Sequence, residues 1–352
     1  MNLPGSLFRE ELGCIRVQVA REHTPDFTQT QDVRDDQGGK QLRIAYLVLA
    51  HTNPQLLKRV TEALTTEDCA FFIHIDRESE LSNFAGVRGE NIFFSEQRRP
   101  VSWGEFSQVE ATMLLIRQAL ACSRNHEYLV FLQGSDYPLR SGRYVSEFLE
   151  RNRGQEFISL LKMPAPGYPL SKINTLRYPA NKPARHFASR ALAKLRFAKR
   201  DYRKHLPGLE PYAGQAWWTL SRGACEYMVE FAESNPHVGE YFRNTFTPDE
   251  MYFHTILGNS PLGPRFRRNL MYVDWTNRGN HPSLLNDEHI KMFQAQEKVW
   301  VDDEWGPGEV LFARKFSDDR LDLLDRIDEM IKRKEEQGSS SLPSAAWPSS
   351  SL

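Results

Sequence analysis

Two acidic residues, Asp249 and Glu250, stand side by side in the segment TPDE, residues 247–250. A carboxylate held in a cleft can take the proton of an attacking hydroxyl group. The same four residues also spell a helix start, with Thr247 as cap, Pro248 at the first helical position and Glu250 three residues beyond the cap. By pattern alone, capping is the favoured role. The segment FARKF, residues 312–316, sets Arg314 beside Lys315. Such cations hold phosphate oxygens, lysine as a compact charge and arginine as a fork, or lie solvated on the surface. The segment HID, residues 74–76, ends in one carboxylate, Asp76, where two spaced by one residue would suit a divalent metal. Trp103, Trp217 and Trp275 offer flat apolar faces for a ligand or, as is commoner for tryptophan, for the core.

These residues need a scaffold, and the apolar runs supply one. Residues 43–50, 70–75 and 128–132 are continuous apolar segments, as expected for strands buried on both faces. Between them lie helical patterns: Leu56, Leu57, Val60 and Leu64, then Phe106, Val109, Met113, Ile116 and Leu120. A third short strand is expected at 91–95. Strand and helix in alternation imply an α/β fold, a mostly parallel central sheet with helices on both faces. Ligands of such sheets bind at the carboxyl ends of the strands. There stand His51, Asp76 and the run Gly134, Ser135, Asp136, which should converge on one crevice. His51 reads alternatively as a cap of the helix that follows. Gly134 would let backbone approach a ligand. Asp136, before Tyr137 and Pro138, reads equally as a turn former. In the second half a strand is expected at 216–220, helices at 222–232 and near 318–334, a turn and helix at 247–257, and a strand-like segment at 269–275.

The chain has 352 residues, 40% hydrophobic, with a formal net charge of -1. That balance points to no nucleic acid or membrane partner for the whole chain. Residues 140–205, however, hold sixteen Lys and Arg against four Asp and Glu. Within them, residues 186–206 space Phe187, Ala191, Leu195, Ala198 and Tyr202 as on a basic amphipathic helix, which suits a solvated face or peripheral membrane contact. Nucleic-acid binding is not expected, because no binding motif accompanies the charge. The four cysteines show no metal-ligand spacing and are expected to be reduced. Three divisions are expected: a polar arm over 1–40, a catalytic domain over 41–335 and a Ser- and Pro-rich tail over 336–352. The chain shows neither a secretion signal nor a run long enough to span a membrane.

Five segments together resemble the core-2/I-branching β-1,6-N-acetylglucosaminyltransferase family, glycosyltransferase family 14, which includes the peptide O-xylosyltransferases. They are AYLVLAHTNPQLLKRV (45–60), FFIHIDRES (71–79), VSWGEFSQVEATMLLI (101–116), YLVFLQGSDYPLRS (128–141) and TPDEMYFHTIL (247–257). GQAWWTLSR (214–222), YVDW (272–275), NHP (280–282) and FARKF (312–316) also match family segments, in the family's order. The resemblance implies a GT-A-like fold and an inverting transfer of N-acetylglucosamine or xylose from a UDP-sugar to a hydroxyl of a glycan, polysaccharide or peptide. It implies no metal and no other cofactor, with basic side chains in the ion's place.

Carried over residue by residue, the resemblance makes Glu250 the base, with Asp249 as the reserve carboxylate. Lys315 matches the lysine of the family's F-A-x-K-F segment and is expected on the diphosphate, with Arg314 beside it. The family places an arginine on the diphosphate shortly after the region of His281 and Pro282. Here that place reads Ser283, and Arg278 is the substitute. His51, Asp76, Gly134 and Asp136 are assigned to the donor, and Trp103, Trp217 and Trp275 to the acceptor or sugar. Two rival functions remain: a glycan-binding protein with a decayed site, and a glycoside hydrolase, which would need a second privileged carboxylate. A soluble, bacterial-type member acting in the cytoplasm, peripheral to the inner face of the membrane, is the expected setting.

Overall fold

The computed structural model of the chain describes residues 42–177, 199–276 and 281–338. Its strands are β1 (Ile44–Ala50), β2 (Cys69–Ile75), β3 (Ile92–Phe94), β4 (Tyr128–Gln133), β5 (Asp136–Pro138), β6 (Glu156–Ile158) and β7 (Leu161–Lys162). Then follow β8 (Tyr212–Ala213), β9 (Trp218–Ser221), β10 (Phe266–Arg267), β11 (Met271–Val273), β12 (Trp300–Asp303), β13 (Gly306–Glu309) and β14 (Phe312–Arg314). Seven of them form the central sheet in the order β10-β6-β9-β4-β1-β2-β3. Every neighbouring pair in it is parallel except the two that involve β9. The mixed α/β architecture expected from the apolar runs is therefore the one adopted.

Alternate residues of β1 enter two separate cores. Ile44, Tyr46 and Val48 pack with α1 (Pro54–Leu64), α3 (Gly142–Arg151) and the helix Leu321–Gly338. Ala45 and Leu47 pack with α2 (Ser107–Ala121) and the helix Arg222–Ser234. The period of two along the strand thus sends side chains to both faces, each covered by helices.

A second sheet, β11-β14-β5, sits at the carboxyl end of β4. β14 is its centre, parallel to β11 and antiparallel to β5, with Arg314 opposite both Val273 and Asp136. The chain after β14 then closes on α1. Asp318 accepts hydrogen bonds from the amides of Gln55 (3.1 Å) and Leu56 (2.8 Å). Free helical amides at an N-terminus are satisfied this way by a carboxylate from a distant segment. Asn53, at the cap position, is left-handed and makes no side-chain cap bond. Arg59 of α1 adds ion pairs to Asp325 (2.7 Å) and Asp328 (2.5 Å).

The basic amphipathic helix expected over 186–206 lies mostly outside the described residues. Its last residues do not continue a single helix. Lys199 bridges to Thr175, and the Asp201 carboxylate accepts the Arg203 amide at 3.2 Å, starting a separate turn, Tyr202–His205. Tyr202 and Leu206 are buried, so this end packs on the body. Among the described residues no helix is long and apolar enough to cross a membrane.

Replacing Asp318 by Ala should lower stability by about 1 kcal/mol, the usual value of a lost helix cap. The denaturant midpoint should fall with an unchanged m value; an unaltered midpoint would mean that water caps α1 equally well.

Candidate active site

The ends of β1, β2 and β4 are tied together by main-chain bonds. The Asp76 amide donates to Ala50 O and the Gly134 amide to Leu49 O, both at 2.8 Å. His51, Asp76 and Gly134 therefore do share one edge, as expected. Their local roles are more structural than the sequence suggested. Asp76 is buried, and its two carboxylate oxygens accept the amides of Glu78 (2.7 Å) and Val101 (2.8 Å). A Cβ on Gly134 would lie 2.8 Å from Ala50 Cβ, so the glycine serves the packing of β4 against the end of β1. His51 is exposed and its carbonyl accepts the Ser79 hydroxyl; it does not cap α1, which Asp318 caps. His74 is fully buried, and its Nε2 accepts the Arg99 amide at 2.9 Å. Burial lowers its pKa, in keeping with a neutral ring.

Asp136 and Arg314 bind each other. The Arg314 guanidinium donates to Asp136 Oδ1 at 2.5 Å, and Asp136 Oδ2 accepts the Gln133 amide at 2.7 Å. Asp136 is 1% exposed, and this desolvation raises its pKa against the opposing pull of Arg314. Trp217, 7% exposed, lies beneath the same guanidinium, 4.9 Å from ring centroid to Cζ. The expectation of Trp217 as a cleft-lining sugar platform is thus corrected: its ring belongs to the core and backs the ion pair. Asp136 is likewise a partner of Arg314 rather than an open donor contact.

The next residue, Lys315, is different. Among the described residues no carboxylate pairs with its ammonium, and burial followed by the neighbouring Arg314 charge lowers its pKa. It is held in place through its backbone, which accepts the Leu285 amide at 2.9 Å, and through Phe316, whose amide donates to Ser135 O at 2.9 Å. An unneutralised cation therefore sits beside the turn that follows β4. Asn53 fastens that turn, donating to Gly134 O (3.2 Å) and Ser135 Oγ (3.1 Å).

Glu250 does not cap its helix. Thr247 is left-handed, with φ 47° and ψ 55°, and makes no side-chain cap bond. A capping side chain reaches the following amides from extended backbone, so this conformation precludes the capping box. The segment instead forms a 3-10 turn, Pro248–Glu250, before the helix Tyr252–Gly258. The Glu250 side chain is free to meet Lys172, Oε2 to Nζ 3.4 Å. That ammonium also lies 4.4 Å from the centroid of the Tyr168 ring, and Tyr168 contacts Trp305 edge to face at 6.1 Å. Burial raises the pKa of both carboxyls. Asp249 rises to about 7, from desolvation first and the Glu250 charge second. Glu250 rises by desolvation, with Lys172 opposing. Asp249 Oδ1 is buried without a hydrogen-bond partner.

Two of the expected aromatic residues are exposed. Trp103 is 52% exposed and contacts Phe246 (5.4 Å) and His281 (4.9 Å). Gly104, at φ 72°, brings its loop against Phe246, and its carbonyl accepts the Thr247 amide at 3.0 Å. Trp275 is 43% exposed, next to Asp274, whose carboxylate holds Thr276 and pairs with His289. Arg278 lies outside the described residues. Among the described residues no group of three or more His, Cys, Asp or Glu could hold a metal ion. Sequence reading missed Lys172, Tyr168 and Trp305: the ammonium reaches Glu250, and the two rings line up behind it, only through the tertiary fold.

The sequence pattern of the family described as Core-2/I-Branching enzyme matches residues 44–297. The chain is similar to the Beta-1,3-galactosyl-O-glycosyl-glycoprotein beta-1,6-N-acetylglucosaminyltransferase of Homo sapiens, 26% identical over 220 residues, 60% of this chain and 48% of that protein. It is also similar to Xylosyltransferase 2 of Mus musculus, 26% identical over 281 residues, 74% of this chain and 30% of the relative. Xylosyltransferase 1 of Mus musculus is 23% identical over 253 residues, covering 67% and 24%. The chain thus spans half or less of the length of these relatives.

A carboxyl whose pKa rises on folding binds more protons in the folded state, so stability falls as pH rises from the ordinary carboxyl range toward about 7 for Asp249. Asp249→Asn should flatten this slope and leave the chain about 1–3 kcal/mol more stable than wild type at pH 8. Denaturant unfolding at pH 5 and pH 8 measures it; parallel pH slopes in the two proteins would place Asp249 in water.

Proposed function

We propose, since this chain belongs to the Core-2/I-branching enzyme family, that it transfers N-acetylglucosamine or xylose from a UDP-sugar to a hydroxyl group of a glycan, polysaccharide or peptide, with inversion. Glu250 takes the proton of the acceptor hydroxyl. The acceptor oxygen bonds to the anomeric carbon as the bond from that carbon to the diphosphate breaks, and UDP leaves with the bonding electrons. Lys315 meets the charge that develops on the diphosphate. Asp76 and His51 border the nucleotide, and Trp103 and Trp275 offer faces to a sugar.

The observation that supports this most directly is the state of Glu250. A carboxylate that the sequence pattern would place in a helix cap is instead released from it and half-buried beside a cation. Lys315 supports it from the other side, as a cation without an acidic partner among the described residues. Metal independence is part of the proposal, because both Asp76 oxygens already accept backbone amides.

Turnover is read as UDP release from UDP-N-acetylglucosamine and UDP-xylose, with and without a panel of hydroxyl acceptors. Acceptor-dependent release is the expected result. Sugar release from glycans without nucleotide would point to a hydrolase, and binding without turnover to a decayed enzyme. Glu250→Gln should cut turnover about a hundredfold or more while UDP still binds; retention of most activity would remove Glu250 as the base. Lys315→Ala should weaken both donor binding and turnover, and unchanged kinetics would take it out of the site. Activity should survive EDTA, whereas strict dependence on Mn²⁺ would overturn the metal assignment.

A further inference from the structure

We propose that Lys172 is a positioning residue for Glu250, its ammonium holding one carboxylate oxygen so that the other is presented, ionised, to the acceptor hydroxyl. This rests on Glu250 being the base. Lys172 Nζ lies 3.4 Å from Glu250 Oε2. Its other side is set against the Tyr168 ring at 4.4 Å, and Tyr168 is backed by Trp305. Two braces keep this chain of contacts in place. The helix Leu170–Asn174 is fixed where Ile173 O accepts the Tyr241 hydroxyl at 2.9 Å and Asn174 Oδ1 accepts the Tyr202 amide at 3.1 Å. The turn carrying Trp305 joins β12 to β13, and buried Arg268 donates to Val301 O (3.3 Å), Gly306 O (3.2 Å) and Asp303 (3.2 Å).

The need for such a cation follows from what else faces Glu250. Asp249 stands beside it with like charge, and burial penalises both anions. Tyr168 carries no charge, its phenol pushed up by burial, and it feels Glu250, Glu304 and Asp249 as neighbouring negative groups. Among these groups Lys172 alone is cationic, and it offsets the desolvation that would otherwise leave Glu250 protonated. During transfer the hydroxyl proton passes to Glu250. The ion pair then loses its anion, and it re-forms when that proton goes on to water.

The test is the pH dependence of kcat/KM for UDP release in wild type, Lys172→Met and Lys172→Arg. Lys172→Met should move the acid limb up by about one unit or more, a roughly tenfold loss at neutral pH that high pH recovers, with donor KM unchanged. Lys172→Arg should restore the wild-type limb to within about threefold in rate. A uniform loss at every pH, or superposed profiles, overturns the proposal. Carboxyl ¹³C NMR of glutamate-labelled protein reads the same pairing without turnover, using the resonance lost in Glu250→Gln. Its titration should move up in Lys172→Met, and an unmoved titration sinks the inference. Turnover that survives Glu250→Gln would instead sink the base assignment, while the NMR titration still judges the pairing.

Discussion

The buried ion pair of Arg314 and Asp136 is the joint on which the candidate site is built. A carboxylate 1% exposed to solvent is stable as an anion only with a partner of opposite charge and with its remaining lone pairs bonded. Arg314 and the Gln133 amide supply both. The pair lies across the β5–β14 ladder, so it fixes the second sheet against the end of β4. Lys315 and Phe316 then fall beside the Ser135 turn because they are the next residues along. Removing one member of such a pair costs about 3–5 kcal/mol, since the other is left charged and dry.

The positive charges of these segments divide into two kinds. Arg98, Arg268 and Arg314 are bonded to carbonyls or carboxylates and act as internal braces. Lys315 and Lys172 are less committed. Lys315 is neutralised by no carboxylate among the described residues, and Lys172 shares its charge between a carboxylate and an aromatic face. Arginine, with its rigid fork, suits the first duty; lysine, a single movable charge, suits the second. A positive group thereby stands near the strand ends, and a separate, charge-compensated carboxylate on the Pro248–Glu250 turn.

The parallel sheet was legible in the sequence because β1, β2 and β4 are unbroken apolar runs bounded by polar residues, and burial on both faces demands that pattern. The same reasoning put His51, Asp76 and Gly134 on one edge, and they are there. It misjudged Trp217, since alternation along a strand tells which residues share a face but not which face is dry. It overvalued capping at Thr247, because residue identities favour a box that left-handed backbone forbids. Lys172, Tyr168 and Trp305 were illegible for a plainer reason. Lys172 reaches Glu250 from 78 residues away along the chain, with Tyr168 and Trp305 behind it, and no local pattern encodes such a meeting.

The bond from Asp318 to the amides of α1 joins residues more than 260 positions apart. During synthesis β1, α1, β2 and β4 leave the ribosome long before β14 and Asp318 exist. Until then the first helix lacks its carboxylate and β5 has no neighbour at its edge. Contacts of such separation slow folding, and unpaired edges invite association with other chains. The edge at the ends of the central strands is consequently among the last parts of the molecule to be completed.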